Sequence, residues 1–144
     1  MARLARNVLP PSGIYHLTHR GAGGCDIHRD DLDRFRFLRF LKLATLKANW
    51  RLLAFCLMRN HYHLVVDGEL EATSRGMHTL AFRHAQSFNT RHERSGHLFG
   101  DRFYTRVIRD DEHLGAACAY VLQNAERVGI RDWPWRGGEL ANLG

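Results

Sequence analysis

The chain has 144 residues, of which 44% are hydrophobic and 25% charged, a composition that fits one ordinary globular domain. No stretch approaches the roughly 18 consecutive apolar residues of a membrane span, and Met1 to Arg6 lead into Pro10 and Pro11 without an apolar signal core, so we expect a cytoplasmic protein with no membrane partner. The net charge is +6, and all but two of the 21 basic residues are arginine, which is typical of nucleic-acid binders, although a GC-rich genome gives the same balance.

Strand-like and helix-like patterns alternate along the chain. In chain order the predicted elements are a strand over 14–20, a helix capped by Asp30 or Asp31 and extending to about Ala48, strands over 50–58 and 61–67, a helix that opens at Thr73 or Ser74, a strand over 103–108, and a helix capped by Asp110 or Asp111 and extending to about Glu126. The third and fourth of these elements are joined by so few residues that we expect them to pair antiparallel.

This order predicts an α+β fold with the split βαββαβ plan: an antiparallel sheet with helices packed on one face and an extra C-terminal helix that carries Tyr120. The chain shows no repeat and no linker, so we expect a single domain over residues 1–144. Its core spans about 12–128, and the segment over 129–144, rich in tryptophan and glycine, is expected to be irregular.

Two histidines flank Tyr62 at the start of the predicted third strand. Because side chains alternate along a strand, His61 and His63 point to the same face, where two imidazoles can share one metal ion. A chain with 10 histidines contains such a pair by chance quite often, so a histidine-rich surface without metal is the alternative. The position favours a metal site, since the strand continues as a buried apolar run in which polar side chains need a partner. Tyr62 points to the opposite face and is expected to pack in the core.

On the last predicted helix, a tyrosine precedes an asparagine by four residues, which places Tyr120 and Asn124 on one face about one turn apart. Periodicity alone favours the alternative of an amphipathic core tyrosine with its hydroxyl at the edge. Beside a cation held by His61 and His63, however, Tyr120 is a candidate nucleophile toward a phosphodiester, and Asn124 a candidate third ligand. Imidazole and amide ligands suit Mn²⁺ or Mg²⁺ better than a closed structural zinc site.

Several other side chains carry weaker signals. Tyr104 is a rival nucleophile, but no ligand follows it four residues later, and Cys25 with His28 forms only half of a zinc-like spacing. Five arginines are candidates for phosphate contacts, with solvated helix faces as the alternative: Arg83, Arg91, Arg94, Arg102 and Arg106.

These motifs are similar, in order, to those of a known family. Met58-Arg-Asn-His61-Tyr-His63-Leu-Val-Val66 resembles the HUH strand of single-tyrosine transposases, with Arg59 where the family usually has proline. The remaining motifs resemble those of the REP-associated tyrosine transposases, over residues 12–136. They are Tyr15-His-Leu-Thr-His-Arg-Gly21, Ser95-Gly-His-Leu-Phe-Gly-Asp-Arg-Phe103, and Tyr120-Val-Leu-Gln-Asn124 followed by Arg127 and Gly129.

The resemblance implies a ferredoxin-like HUH nuclease that cleaves and rejoins single-stranded DNA beside a hairpin through a 5′-phosphotyrosine, without a nucleotide cofactor, as a monomer or homodimer. It implies Tyr120 as the nucleophile and His61, His63 and Asn124 as ligands of Mg²⁺ or Mn²⁺. Two alternatives are a non-catalytic DNA-hairpin-binding domain derived from such an enzyme, and a metal-dependent nuclease that uses water while Tyr120 is structural.

Overall fold

The computed structural model describes residues 9–140, and these contain five strands and four α-helices. In chain order they are β1 (Ser12–Arg20), α1 (Asp31–Ala48), β2 (Arg51–Leu57), β3 (His61–Glu69), α2 (Leu70–Arg91), β4 (Tyr104–Ile108), α3 (Asp111–Leu122), α4 (Asn124–Arg127) and β5 (Arg136–Gly137). The strands form one antiparallel sheet in the order β4-β1-β3-β2-β5, and β2 pairs with β3 as predicted. The α+β class and the βαββαβ order are thereby confirmed. None of the helices within residues 9–140 is both long and apolar enough to cross a membrane.

Two of the helices begin at the aspartates that the sequence indicated. The Asp30 carboxylate accepts a hydrogen bond from the backbone amide of Asp33 (3.1 Å), and the Asp110 carboxylate accepts one from the amide of His113 (2.7 Å). Each bond satisfies an amide that the first turn of a helix leaves without a partner. The caps therefore fix where α1 and α3 start.

The start of α2 differs from the prediction. The helix begins at Leu70, not at Thr73 or Ser74, and both of these residues are buried inside its first turns. The Thr73 hydroxyl accepts a hydrogen bond from the Trp50 indole nitrogen (2.8 Å) and does not cap the helix. The backbone amide of Leu70 donates instead to the Pro11 carbonyl (2.8 Å), so a tertiary contact replaces the expected local one.

Different helices cover the two faces of the sheet. One face packs against α1 and α2 through a core that includes Tyr15, Leu17 and Tyr62. The other packs against α3 and α4 through Cys56, Val65 and several small helix residues. Because side chains alternate along each strand, His16 and Thr18 of β1 and His61 and His63 of β3 lie on the α3 side of the sheet, whereas His19 lies on the other face beside Tyr62.

The sequence predicts an irregular C-terminal segment, but part of this segment forms a strand. Residues Arg136–Gly137 form β5, which pairs with β2 at Phe55 and Cys56. At the following Gly138 (φ 112°), an added Cβ would lie 2.6 Å from the Leu53 carbonyl oxygen, so only glycine allows the chain to pass so close to β2. The expectations for residues 1–8 and 141–144, including the absence of a signal core, fall outside the described residues.

A break divides the last predicted helix in two. Helix α3 ends at Leu122, Gln123 leaves the regular geometry, and a short α4 follows. The carbonyl oxygen of Leu122 accepts a hydrogen bond from the Arg136 guanidinium (2.5 Å), which also pairs with Glu126 (2.5 Å). The segment around β5 therefore supports the junction that lies between Tyr120 and Asn124.

Candidate active site

The paired histidines lie where the sequence placed them, at the start of β3. Their ring centroids are 5.1 Å apart and the ring planes are nearly perpendicular, at 87°. His63 is 3% exposed and His61 is half-buried. Tyr62 points to the other face, where it is fully buried and its ring centroid lies 4.7 Å from that of Phe37. Tyr62 is therefore a core residue, as predicted.

His61 and His63 are neutral at physiological pH. Burial lowers the pKa of His63 to about 2, and the neighbouring imidazoles of His16 and His61 add to the effect. Burial also lowers the pKa of His61 to about 4, together with the charge of Arg20, and a hydrogen bond with Asn124 partly opposes this shift. A neutral imidazole is the form that binds a metal cation.

His63 is held through one ring nitrogen. Its Nδ1 lies 3.0 Å from Nε2 of His16 and 3.1 Å from the hydroxyl oxygen of Thr18, both on the neighbouring strand β1. Its Nε2 is buried and has no hydrogen-bond partner within the described residues. A buried nitrogen without a partner is costly, so this atom is the natural place for a cation.

His61 is held in a similar way. Its Nδ1 lies 2.7 Å from the side-chain oxygen of the preceding Asn60. The imidazole also makes a hydrogen bond with the side chain of Asn124, which is 8% exposed at the start of α4. The structure thus brings Asn124 to the histidine pair, although it is one residue beyond the helix break.

The three predicted ligands fit a divalent cation. They offer two neutral imidazoles and an amide group, a mixed nitrogen and oxygen donor set that is able to ligate a divalent cation. The unpartnered Nε2 of His63 gives independent support. Within residues 9–140, no group of three or more histidine, cysteine or acidic side chains is arranged for metal binding.

Tyr120 lies beside the histidines on the exposed side of α3. Its ring centroid is 5.7 Å from that of His63 and 6.0 Å from that of His16, and the side chain is 46% exposed. The Arg127 guanidinium carbon lies 3.8 Å from the centroid of the tyrosine ring, and Nη1 of the same arginine donates to the Tyr120 carbonyl oxygen (2.8 Å). The ring is therefore accessible but fixed in place.

A cleft of about 820 Å³ opens next to Tyr120. Tyr120 and His63 line it, whereas His61 and Asn124 do not. The described residues that line it carry three arginines against the single carboxylate of Asp101. The arginines are Arg20, Arg102 and Arg106. The cleft is thus a basic surface next to a tyrosine, which suits a polyanion.

The remaining arginine candidates lie elsewhere. Arg91 pairs with both Asp30 (2.5 Å) and Asp33 (2.7 Å), and so ties α2 to the start of α1. The Arg94 guanidinium donates to the carbonyl of His97 (3.2 Å) inside its own loop. Arg83 is exposed in a groove between α1 and α2, on the face of the sheet opposite Tyr120.

The two weaker sequence signals, Tyr104 and the pair of Cys25 and His28, lie in different parts of the structure. Tyr104 lines the cleft together with Tyr120. Cys25 and His28 point to different partners, because the thiol donates to the Leu98 carbonyl (3.6 Å) and His28 Nδ1 bonds to the Met58 carbonyl (2.8 Å). They form no common site.

Sequence reasoning missed three residues that support the site: His16, Thr18 and Arg127. His16 and Thr18 alternate with Tyr15 and Leu17 along β1, and this alternation of polar and apolar residues is a signal that could have placed them on the same face as His63. Arg127 appeared in the sequence only as part of a motif. Its position over Tyr120 depends on the helix break at Gln123, which periodicity does not show.

Comparison with known proteins connects this geometry to a family. The family model described as "Transposase IS200 like" matches residues 14–124, which include His61, His63, Tyr120 and Asn124. A REP-associated tyrosine transposase solved with a REP hairpin has the same fold, with a TM-score of 0.71, 16% identity, and coverage of 94% of this chain and 82% of that one. A Deinococcus radiodurans R1 crystal structure assigned as a transposase is also similar, with a TM-score of 0.53, 16% identity, and coverage of 86% and 97%. No curated protein shows significant sequence similarity to the chain. The match over residues 14–124 shows that the chain belongs to the IS200-like transposase family.

Proposed function

We propose that this transposase is a metal-dependent endonuclease and strand transferase that acts on single-stranded DNA beside a hairpin, in the cytoplasm and as one domain. The observation that carries the proposal is the position of Tyr120, whose ring lies 5.7 Å from the ring of His63. Nε2 of that histidine is buried and has no partner among the described residues. A nucleophile and a site for a cation thus adjoin the same basic cleft.

His61, His63 and Asn124 are the residues that would hold Mg²⁺ or Mn²⁺. When bound, such an ion polarises a phosphodiester and stabilises the charge that develops on its oxygens. The burial that keeps both imidazoles neutral leaves their lone pairs available at pH 7.

In the proposed reaction, the Tyr120 oxygen attacks phosphorus. A bond forms between that oxygen and the 5′-phosphate, the bond to the 3′-oxygen of the preceding nucleotide breaks, and the phenolic proton is lost to solvent while the leaving oxygen gains one. The phosphotyrosine conserves the energy of the broken bond, so rejoining to another 3′-hydroxyl needs no nucleotide cofactor. The guanidinium group of Arg127, 3.8 Å from the ring centroid, holds the ring in position during the attack.

DNA is the proposed partner of the cleft. The arginines Arg20, Arg102 and Arg106 line it, and their guanidinium groups suit bidentate contacts to phosphate. The similar REP-associated transposase was solved with a REP hairpin, and we extend that class of ligand to this chain. Arg91 and Arg94 have intramolecular partners, so we assign them to the fold and not to DNA.

Covalent trapping tests the proposal. The protein is mixed with end-labelled single-stranded DNA that contains a hairpin and with Mn²⁺, and is then run on a denaturing protein gel. We expect a labelled adduct that disappears in Tyr120→Phe and His61→Ala. Tyr104→Phe is the matched control, because Tyr104 lines the same cleft, and it should retain the adduct.

The same experiment distinguishes the alternatives. Hairpin binding without cleavage, with either metal and several flanking sequences, would identify a non-catalytic DNA-binding domain. Cleavage without an adduct would leave the metal site in place but make water the nucleophile. An adduct lost in Tyr104→Phe and retained in Tyr120→Phe would transfer the role to the rival tyrosine.

A further inference from the structure

The turn between β2 and β3 is tied to the loop that follows β1. The backbone amide of Gly21 donates to the Asn60 carbonyl (2.9 Å), and the amide of Ile27 donates to the Arg59 carbonyl (2.9 Å). An ion pair between Arg59 and Asp26 joins the same two segments. The loop over 21–24 forms one wall of the basic cleft, so the turn before the histidine pair is attached to that wall.

The side chain of Asn60 joins the histidine pair to this wall. Its nitrogen Nδ2 donates to the carbonyl oxygen of Gly24 (3.4 Å), while its oxygen Oδ1 lies 2.7 Å from Nδ1 of His61. A carbonyl oxygen only accepts hydrogen bonds, so the NH₂ end of the amide must face Gly24. The oxygen end then faces His61, and its contact is a hydrogen bond only if Nδ1 of His61 carries the proton.

The consequence is a defined tautomer of His61. A neutral imidazole carries one proton, so a protonated Nδ1 leaves Nε2 as a lone pair that is able to bind a cation. In the opposite tautomer, the Asn60 oxygen and the Nδ1 lone pair would face each other at 2.7 Å, which is repulsive. Partners of this kind orient metal-binding histidines, and their removal typically costs about 10–100-fold in metal affinity.

We infer that Asn60 is a positioning residue that holds His61 in the Nδ1-protonated tautomer and links it to the Gly21–Gly24 wall of the cleft. The link to metal binding rests on the proposed function, whereas the tautomer itself does not. Because the same amide contacts His61 and Gly24, a change in the wall changes the orientation of the histidine.

The tautomer can be read directly by NMR. The full chain is labelled with ¹⁵N-histidine, and long-range correlations of the ring nitrogens are recorded without metal or DNA at pH 7.5, with His61→Gln to assign the signals. We expect Nδ1 of His61 to be protonated in the unmodified protein and both tautomers to be populated in Asn60→Ala. Asn60→Asp keeps an acceptor beside Nδ1 and should restore the Nδ1-protonated form.

Asn89→Ala is the matched control. Asn89 also donates to a glycine carbonyl in a loop, that of Gly96 (2.9 Å), but it has no contact with His61. It should leave the His61 signals unchanged. Among Asn60→Ala, Asn60→Asp and Asn89→Ala, only Asn60→Ala should show Mn²⁺ affinity, measured by calorimetry, that falls about 10–100-fold.

Two results would overturn the inference: an Nε2-protonated His61 in the unmodified protein, or an unchanged tautomer in a folded Asn60→Ala. The first is decisive even when the alanine variant fails to fold. A failure of the proposed function looks different, because no adduct would form with DNA while the tautomer results stay as expected.

Discussion

The guanidinium group of Arg127 lies 3.8 Å from the centroid of the Tyr120 ring and donates to the carbonyl oxygen of the same residue. The contact spans the break between α3 and α4, so two short helical segments are joined at the candidate nucleophile. The ring also makes T-shaped contacts with the imidazoles of His16 and His63. Tyr120 thus contacts a guanidinium group and two imidazoles although nearly half of it is exposed.

We expect Arg127→Met to slow formation of the DNA adduct about 10–100-fold. Without the guanidinium contact the tyrosine ring is less restricted, so its hydroxyl oxygen is less often aligned for in-line attack on phosphorus. The thermal midpoint should change little, since an exposed cation–π contact contributes only about 0.5–1 kcal/mol. Single-turnover cleavage measures the rate. Arg131→Met, at an exposed arginine outside the site, is the control, and equal rates in the two variants would argue against the positioning role.

The contact between Thr18 and His63 leads to a second prediction. Thr18→Val keeps the shape of the side chain but removes the hydroxyl oxygen that lies 3.1 Å from His63 Nδ1. We expect Mn²⁺ affinity to fall about tenfold, and Thr18→Ser to keep most of it, because the serine hydroxyl is able to take the same place. Calorimetry with Mn²⁺ gives the affinity. Binding in the valine variant as tight as in the unmodified protein would show that His16 alone orients His63.

Local patterns account for most of the fold. The caps at Asp30 and Asp110 and the shared face of His61 and His63 follow from interactions within a few residues, and the structure contains them. The proximity of Tyr120 to the pair does not follow from local patterns, because it depends on the packing of α3 against that face of the sheet. The features that could be predicted are therefore those that depend on side-chain alternation in strands, helical periodicity and local capping.

The differences come from contacts between residues far apart in sequence. Thr73 looked like a helix cap, but its hydroxyl accepts a bond from Trp50, which lies 2.8 Å away across the fold. The short strand β5 exists because it pairs with β2, and no local pattern in its two residues indicates this. The sequence makes Arg91 a candidate for phosphate contacts, but in the folded protein its guanidinium group pairs with Asp30 and Asp33.

A buried pair of histidines predicts how stability depends on pH. His28 is fully buried and His84 is 1% exposed, and their ring centroids lie 5.1 Å apart. Burial lowers the pKa of His28 to about 3 and that of His84 to about 4. In the unfolded chain, the pKa of histidine is about 6.5, so as the pH falls the unfolded state takes up protons before the folded state does.

Stability contributed by these neutral histidines is therefore complete above about pH 7 and is lost as the pH falls from about 6.5 toward 4. We expect a loss on the order of 2 kcal/mol per histidine between pH 7.5 and 5. Urea unfolding at several pH values measures it. His84→Gln should flatten the dependence, because its amide is able to replace the bond to the Ile27 carbonyl without titrating. An exposed-site control, His97→Gln, should keep the full slope.

Substitution of an arginine outside the cleft should lower stability, whereas substitution of an arginine inside the cleft should weaken DNA binding. The Asp33 carboxylate is 2% exposed; its Oδ1 accepts a bond from Arg91 (2.7 Å), and its Oδ2 accepts bonds from His92 (2.8 Å) and from the Arg29 backbone amide (2.8 Å). Arg91→Met therefore removes the charged partner of a buried carboxylate oxygen. We expect a thermal midpoint lower by several degrees and nearly unchanged affinity for hairpin DNA in that variant.

Arg102→Met and Arg106→Met should show the reverse, because both side chains line the cleft and their described surroundings give them no ion pair. We expect an unchanged midpoint, weaker binding, and a salt dependence whose slope falls by about one per lost phosphate contact. Fluorescence anisotropy across a range of NaCl concentrations measures both quantities. If Arg91→Met flattens the salt dependence as much as the cleft variants do, then the DNA also reaches the junction of α1 and α2, and the path of the DNA is longer than the cleft.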